Sequence, residues 1–156
     1  MVNIHTDRRI NIFWNGFLNK KKLPESTHCH RIFAFSPDQR ESMRLLRLAY
    51  AGKKELIFSS FNSYTDVEAI PNPGDISIVT ESGGFPYCVI ETQQIEMVPF
   101  KQIDFSLIQR DDETKSLLSW QIEHLAQYKK EGELYGYQFS SESPIVVETF
   151  KVIYRE

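Results

Sequence analysis

The order of hydrophobic patterns along the chain predicts an α+β fold, in which a small barrel or bent, mostly antiparallel sheet is flanked by helices. Three observations predict it. An amphipathic helical segment comes early, several β-prone segments with a hairpin signal occupy the middle, and a second helical segment precedes a closing strand. Helices and strands that do not alternate regularly along a chain are typical of α+β rather than α/β proteins.

The length predicts a single domain. The chain has 156 residues, enough for one hydrophobic core and too few for two domains of ordinary size. Its hydrophobic share of 41% and charged share of 25% are those of a globular protein and argue against disorder. We therefore expect residues 1–156 to form one domain, with residues 1–35 as an N-terminal extension packed on it.

The first clear helix is predicted from Pro37 to about Ala51. Ser36 as N-cap, Pro37 in the first turn and Gln39 at the third position form a capping-box pattern. Gly52 follows as the residue that ends the helix, because glycine adopts a positive φ at little cost. Apolar residues gather on one side at helical spacing, and the opposite side carries Arg40, Arg44 and Arg47.

The middle of the chain predicts strands. The segment 55–61 is apolar and β-prone, and it leads into a loop closed by a Pro-Gly turn. Ile76 to Thr80 is a predicted strand, followed by the turn glycines Gly83 and Gly84, which allow a hairpin. Residues 85–100 then form a long strand or a bent pair of strands.

The second helix is predicted from about Thr114 to Lys130, after a short helical connection near residues 101–108. Asp111 and Asp112 precede it and Gly132 is expected to end it. Its apolar side comprises Leu117, Leu118, Ile122 and Leu125. A closing strand follows from Ile145 to Tyr154.

Several classes of protein lack their signatures here. No apolar run approaches the roughly 18 to 20 residues that span a bilayer, and the N-terminus has no apolar signal-peptide region, which predicts a soluble, cytoplasmic protein. The two cysteines, Cys29 and Cys88, are expected to be reduced thiols, with a single disulfide as the alternative. No phosphate-binding loop, dinucleotide-binding glycine motif or G-x-S-x-G motif occurs, nor any motif specific for DNA.

The sequence His28-Cys29-His30 raises the question of a zinc site. Neighbouring residues of an extended segment point to opposite sides, and no second ligand pair at the usual spacing accompanies them. We therefore expect no metal, and nothing else in the sequence calls for a cofactor.

Charge is distributed unevenly along the chain. Residues 1–54 contain eleven Lys and Arg against four Asp and Glu, a net charge of +7, whereas the remainder has seven against seventeen, a net charge of −10. A local basic surface can attract a phosphate-bearing ligand even on an acidic protein, because salt screens distant charges. The alternative is that the arginines of the first helix form a solvated face.

Lys53 and Lys54 follow Gly52 directly. Two interpretations are open: the lysines complement the dipole at the C-terminal end of the helix, or one of them is partly withdrawn from water beside a carboxylate and serves a binding or catalytic role. For Asp111, Asp112 and Glu113, the corresponding alternative is N-capping of the second helix.

The layout resembles the ASCH domain family of the PUA-like superfamily, in its longer bacterial form. The matching pieces come in order over nearly the whole chain: aromatic residues around Trp14 and Phe17; Gly52-Lys53-Lys54, similar to the family's G-x-K; Pro73-Gly74-Asp75; residues 84–100; residues 116–124 with Trp120 and His124; and residues 144–150. This resemblance implies a compact PUA-like barrel with a cleft at the G-x-K segment and an association with RNA.

The resemblance also implies candidate site residues. Small relatives deacylate N4-acetylcytidine with a lysine, a threonine and a glutamate, and the matching lysine and glutamate here are Lys54 and Glu113, with Asp112 as the neighbouring choice. The family's G-x-K-x-x-T has its threonine where this chain has Ile57, which carries no hydroxyl. Ser59 and Ser60 carry hydroxyls just beyond it, so the candidate catalytic residues are Lys54, Glu113 and Ser59.

Three functions compete at this point. The first is a module that binds RNA or a nucleotide in a basic cleft at Gly52–Lys54, where cations hold phosphate and a ring stacks on a base. The candidate binding residues are Lys53, Arg44, Arg47, Tyr64, Asp112, Trp120 and His124, with Phe61 as a further aromatic. The second is a hydrolase acting on a modified nucleoside or on RNA. The third is a divergent member with a decayed site that contacts another protein, and the sequence leaves a homodimer open.

Overall fold

The structure of the chain is a computed structural model that describes residues 1–112 and 114–155. In these described parts it contains five strands and four α-helices, besides three single-turn 3-10 helices. The helices are α1 (Arg8–Lys21), α2 (Gln39–Tyr50), α3 (Phe105–Asp111) and α4 (Leu117–Tyr135). The strands are β1 (Ile32–Ala34), β2 (Leu56–Ser60), β3 (Ile76–Thr80), β4 (Pro86–Pro99) and β5 (Pro144–Arg155).

The five strands form one mixed sheet in the order β1-β3-β4-β5-β2. β1 pairs with β3 in parallel, and the other neighbours are antiparallel. β4 and β5 pair along almost their whole length, with register shifts at Val89/Ile90 and Thr92/Gln94. Such irregularities bend and twist a strand, so the long β4–β5 pair can curl the sheet into a half-barrel.

Helices cover both faces of the sheet at β3 and β4. Ile78 and its partner Val89 point towards α1, where they meet Phe13, Trp14 and Phe17. Val79 and its partner Cys88 point the other way and pack under Leu46 and Ala49 of α2. Successive strand residues alternate between faces, which explains why β3 is buried along its whole length. β1 lies within residues 1–35 and is itself an edge strand of this sheet.

A third apolar cluster joins α3 and α4 to the other end of the sheet. Trp120 and Tyr128 of α4 are fully buried against Leu56 of β2 and Ile145 of β5, and Ile108 of α3 completes the contact. This packing brings the loop between α3 and α4 next to the segment that links α2 to β2.

The first predicted helix is correct in its end and wrong in its start. Asp38, not Ser36, is the N-cap: its carboxylate accepts a hydrogen bond from the Glu41 N–H at 2.8 Å. The Ser36 hydroxyl instead accepts from the Asp38 N–H at 3.1 Å. Gly52 follows the helix with φ of 72°, as predicted.

The late helix is longer than predicted. It begins after Ser116, whose hydroxyl caps it by accepting from Ser119 N–H at 3.1 Å, so Asp111 and Asp112 are not its N-caps. Gly132 lies inside the helix, and a Cβ there would approach the Tyr137 carbonyl oxygen to 2.4 Å. The helix ends at Gly136, which has φ of 83°. Glycine at position 132 therefore serves close packing and not helix termination.

The remaining predictions for the strands agree with the structure, apart from small differences at the strand ends. β3 has the predicted limits, the segment 85–100 is one long strand, and the closing strand exceeds its prediction by one residue at each end. The three-residue strand β1 was not predicted. Cys29 and Cys88 are free thiols, and no helix among the described residues is both long and apolar enough to cross a membrane.

Candidate functional site

A cavity of about 520 Å³ opens between β1, β2 and the α3–α4 region. Ligand pockets in proteins commonly measure about 300 to 1,000 Å³. The lining combines aromatic rings with charged groups, and its aromatic members are Phe33, Phe35, Phe58, Trp120 and His124.

Lys54 lies at the wall of this cavity because of how α2 ends. After Gly52, the N–H groups of Lys53 and Lys54 both donate to the Leu48 carbonyl, at 2.8 and 3.1 Å. The chain therefore turns sharply, which leaves Lys53 exposed and Lys54 only 6% exposed.

The Lys54 ammonium is held by three groups. It donates to the carbonyl of Leu56 at 2.7 Å and to the carboxylate of Asp111, and it lies 5.2 Å from the centre of the Phe35 ring. Asp111 ends α3 and is equally buried. Its second carboxylate oxygen accepts from the indole Nε1 of Trp120 at 3.3 Å. Asp111 thus joins the helix end at Lys54 to the aromatic wall.

Trp120 and His124 form a stacked pair one helical turn apart on α4, with ring centres 4.0 Å apart and planes inclined by 16°. Phe58 meets the Trp120 ring edge-on at 4.8 Å. His124 Nδ1 lies 2.9 Å from the Trp120 carbonyl, which can only accept, so Nδ1 carries the proton. Burial lowers the pKa of His124, and the neutral ring keeps Nε2 as an acceptor at neutral pH.

Asp112 anchors a second cluster beside the first. One oxygen accepts from Arg44 at 2.7 Å, and the other accepts from the Thr114 N–H and hydroxyl at 3.0 and 2.6 Å. Arg44 also binds Glu41 at 2.6 Å. Burial alone would raise the pKa of Asp112, but the hydrogen bonds from Arg44 and Thr114 outweigh it and lower the pKa to about 2.

This arrangement predicts a stability difference that depends on pH. Because the folded pKa of Asp112 lies below its unfolded value, its contribution is complete above about pH 4 and disappears as the pH falls towards 2. We expect wild type to exceed Asp112→Asn by about 1 to 2 kcal/mol in free energy of unfolding at neutral pH, and the gap to close in acid. Urea unfolding at a series of pH values measures it; a gap that stays constant down to about pH 2.5 contradicts the assignment.

The charged groups of the cavity do not form a basic cleft. Its described lining contains four carboxylates, Glu41, Asp111, Asp112 and Glu123, against two lysines, Lys54 and Lys115. Both lysines are paired, Lys54 with Asp111 and Lys115 with Glu123 at 2.7 Å. The basic cleft expected from the sequence is therefore not found in this cavity, because carboxylates from distant segments converge there.

The structure brings together part of the predicted site. Lys54, Asp112, Trp120 and His124 all line the cavity, and Arg44 reaches it through Asp112. The family's threonine position also faces this cavity, since Ile57 is part of the lining.

Other predicted residues lie elsewhere. Ser59 and Tyr64 share a hydrogen bond of 2.8 Å outside the cavity lining, and Arg47 is exposed on α2. Lys53 is exposed and does not line the cavity. Glu113, the predicted catalytic carboxylate, lies outside the described residues.

Sequence reasoning missed two features of the site. It weighed Asp111 as one of the carboxylates ahead of the second helix or as a helix cap without selecting it as a site residue, and it did not identify Phe33, Phe35 and Phe58 as cavity walls. The sequence does contain a signal for Asp111. Two consecutive aspartates follow a short helical segment, whereas capping a helix needs only one carboxylate. No local pattern shows that Phe33 and Phe35 face a cavity.

Metal binding finds no support in the arrangement of ligands. Among residues 1–112 and 114–155, no group of three or more His, Cys, Asp or Glu side chains is placed to hold an ion. His30, part of the His-Cys-His sequence, instead hydrogen-bonds to the Ala69 carbonyl at 2.8 Å and lies 3.4 Å from Asp75.

A curled mixed sheet with flanking helices and a cavity at the end of α2 defines an α+β protein of the PUA-like barrel type. The family model of the ASCH domain matches residues 31–154, so the chain belongs to the ASCH domain family.

Two solved structures agree with this assignment. A crystal structure of an ASCH domain from Lactobacillus crispatus superposes with a TM-score of 0.87 at 24% identity, covering 99% of this chain and 100% of the other. A protein of Enterococcus faecalis assigned to the family DUF984 gives a TM-score of 0.81 at 26% identity, covering 94% and 93%. No curated protein matches the chain.

Proposed function

We propose that this ASCH-domain protein binds RNA or a nucleotide by receiving a nucleobase in the cavity beside Lys54. The observation that carries the proposal is the combination of stacked rings and a buried Lys54–Asp111 pair in one cavity. The general association of the family with RNA supports the same class of ligand.

The aromatic walls suit a flat heterocycle. Phe33, Phe35, Phe58 and His124 contribute faces or edges to the lining, and stacking of a base on an aromatic ring contributes about 1 to 3 kcal/mol whatever the base. The cavity volume of about 520 Å³ accommodates a base with part of its sugar.

Polar groups beside the rings can read the edge of a base. The Lys54 ammonium has three N–H donors, of which one binds Leu56 and one Asp111; the third has no hydrogen-bond acceptor among the described residues and lies on the side of the ammonium left for the Phe35 ring or a ligand. The Asp111 carboxylate has further acceptor sites, and His124 Nε2 is an acceptor. The cavity lining therefore supplies one donor and two acceptors, from Lys54, Asp111 and His124.

The excess of carboxylates in the lining restricts which part of a ligand can enter the cavity. Phosphate inside a cavity with four carboxylates and two paired lysines is unfavourable. The phosphate of a bound nucleotide therefore lies outside, where Arg47 and Lys53 are exposed near the end of α2 and remain candidates to contact it.

Calorimetric titration with nucleosides, nucleotides and a short single-stranded RNA tests the proposal. We expect His124→Ala to weaken binding by about 5- to 100-fold, the loss of one stacking contact. Lys53→Ala, next to the cavity lysine but outside the lining, is the control and leaves nucleoside binding unchanged. Absence of binding by wild type, or equal affinity of wild type and His124→Ala, overturns the proposal.

A hydrolase acting on a modified nucleoside is a second candidate, favoured by the amine of Lys54 lying against the Asp111 carboxylate at a cavity. Ile57 supplies no hydroxyl there, and the Ser59 hydroxyl is bound to Tyr64. Incubation with N4-acetylcytidine tests it. Acetate release that is lost in Lys54→Arg and kept in Lys53→Arg supports the hydrolase; release unchanged by Lys54→Arg excludes this role for Lys54.

A further inference from the structure

We propose that a basic groove on the side of the sheet at the ends of α1 and β5 binds the phosphate backbone of single-stranded RNA. The groove is defined by Lys20 and Lys21 of α1 and Arg155 of β5, with Tyr50 and Val152 on its floor. This inference rests on the proposed function, because it assigns the phosphate-bearing part of the same ligand to a surface outside the cavity.

The groove is formed by residues from opposite ends of the chain. Lys20 and Lys21 occupy the last turn of α1, whereas Arg155 is at the end of β5, where it pairs with Cys88 of β4. The space between them is about 410 Å³. The dipole of α1 explains why lysines suit its last turn, but it does not explain why Arg155 converges on the same groove.

The three cations are available to an anion. All three are exposed, and no ion pair between described residues involves them. The described lining of the groove contains no carboxylate. The Arg155 guanidinium lies 5.1 Å from the centre of the Tyr50 ring, and the Tyr50 hydroxyl donates to the Tyr87 carbonyl at 3.0 Å. Tyr50 therefore holds the Arg155 guanidinium in place without cancelling its positive charge.

A second groove adjoins the first, and each of its three cations lies within ion-pair distance of a carboxylate. It has a volume of about 370 Å³, shares Tyr50 and Val152 with the first, and is lined by Arg110, Lys151 and Lys54. Its one described carboxylate, Glu55, is bound by Arg110 at 3.0 Å. Lys54 lines both this groove and the cavity, so the proposed strand would run from the cations at Lys20 past Lys54 to the proposed base site.

The path favours a single strand over a duplex. A base enters an enclosed cavity only when it is unpaired, whereas its backbone neighbours remain on the surface. Cations that contact phosphate hold the strand without regard to sequence. The ligand would therefore be bound in two parts. Its base would lie in the acidic cavity on one side of Lys54, and its phosphates would lie in the basic groove on the other side.

The test compares two variants with the same change in net charge. Lys20→Ala/Lys21→Ala removes the cations of the groove, and Lys129→Ala/Lys130→Ala removes an exposed pair on α4 that lines none of these grooves. The probe is a labelled single-stranded RNA of mixed sequence and about ten nucleotides. Anisotropy is measured over a series of salt concentrations, and nucleoside binding is measured in parallel by calorimetry.

We expect the slope of log affinity against log salt to be about −2 for wild type, from three phosphate contacts at about 0.7 each. In Lys20→Ala/Lys21→Ala the slope falls to about −0.7 and affinity at low salt drops by about tenfold, whereas the α4 variant resembles wild type. Nucleoside binding is unchanged in both variants, which separates the groove from the cavity.

Three results would overturn the groove proposal alone. The first is equal salt slopes in the two double variants, and the second is no RNA binding by wild type although nucleosides bind, which leaves the cavity proposal intact. Binding to vesicles containing phosphatidylserine, with none to RNA, would also contradict it and point to a membrane surface instead. If neither nucleosides nor RNA bind, both proposals fail together.

Discussion

Replacing Lys54 by methionine is expected to lower the free energy of unfolding by about 3 to 5 kcal/mol, because the variant leaves the Asp111 carboxylate buried without its cation. Asp111 is 6% exposed and, among the described residues, would retain only the Trp120 indole N–H as a hydrogen-bond donor. Urea denaturation followed by circular dichroism measures the loss. The matched control is Lys53→Met, an exposed neighbour, for which we expect a change within about 0.5 kcal/mol.

A double variant separates the ion pair from general packing. In Lys54→Met/Asp111→Asn no buried charge is left unpaired, and the amide oxygen still accepts from Trp120. We expect it to be more stable than Lys54→Met alone by about 2 kcal/mol or more. Equal stabilities of Lys54→Met and Lys53→Met would show that the pair with Asp111 is not formed in the native protein.

The second large effect is expected at Glu148, which is 2% exposed on β5. It accepts from Arg31 at 2.5 Å and from the Thr92 hydroxyl at 2.7 Å. Glu148→Ala leaves the Arg31 guanidinium without its carboxylate at the entry to β1, and we expect a loss of about 3 to 5 kcal/mol. Because β1 is a three-residue edge strand that contributes Phe33 and Ala34 to the cavity, ligand binding should weaken as well.

Two controls accompany the Glu148 variant. Glu148→Gln keeps the shape of the side chain and one of its two acceptor oxygens, so it should lose less stability than Glu148→Ala. Glu142→Ala breaks an exposed pair with Lys101 and should cost at most about 1 kcal/mol. Hydrogen exchange of the β1 amides provides a local readout. Unchanged protection of β1 in Glu148→Ala would show that Arg31 does not hold this strand through Glu148.

Local patterns predicted those elements whose determinants lie within a few residues. Gly52 ends α2 because a positive φ is needed there, and β3 is recognisable as an apolar run between turn residues. Where packing decides, the local prediction was wrong. Gly132 looks like a helix end, but it lies inside α4, where glycine leaves room for the Tyr137 carbonyl. β1 is too short to show a period, and it is stabilised by pairing with β3 and by Arg31.

The amino-acid sequence by itself determined the α+β class and the resemblance to ASCH domains, because these depend on the order of elements and on local motifs; that resemblance also led to the prediction that Lys54, not Lys53, belongs to the site. Only the tertiary structure decided the chemistry around Lys54. Its partner Asp111 is 57 positions away, and Arg44 meets Asp112 across 68. Such pairings arise when α3 and α4 pack against β2. As a result, the cavity is lined by carboxylates and is not the basic cleft that the sequence predicted, and exposed cations lie in a separate groove.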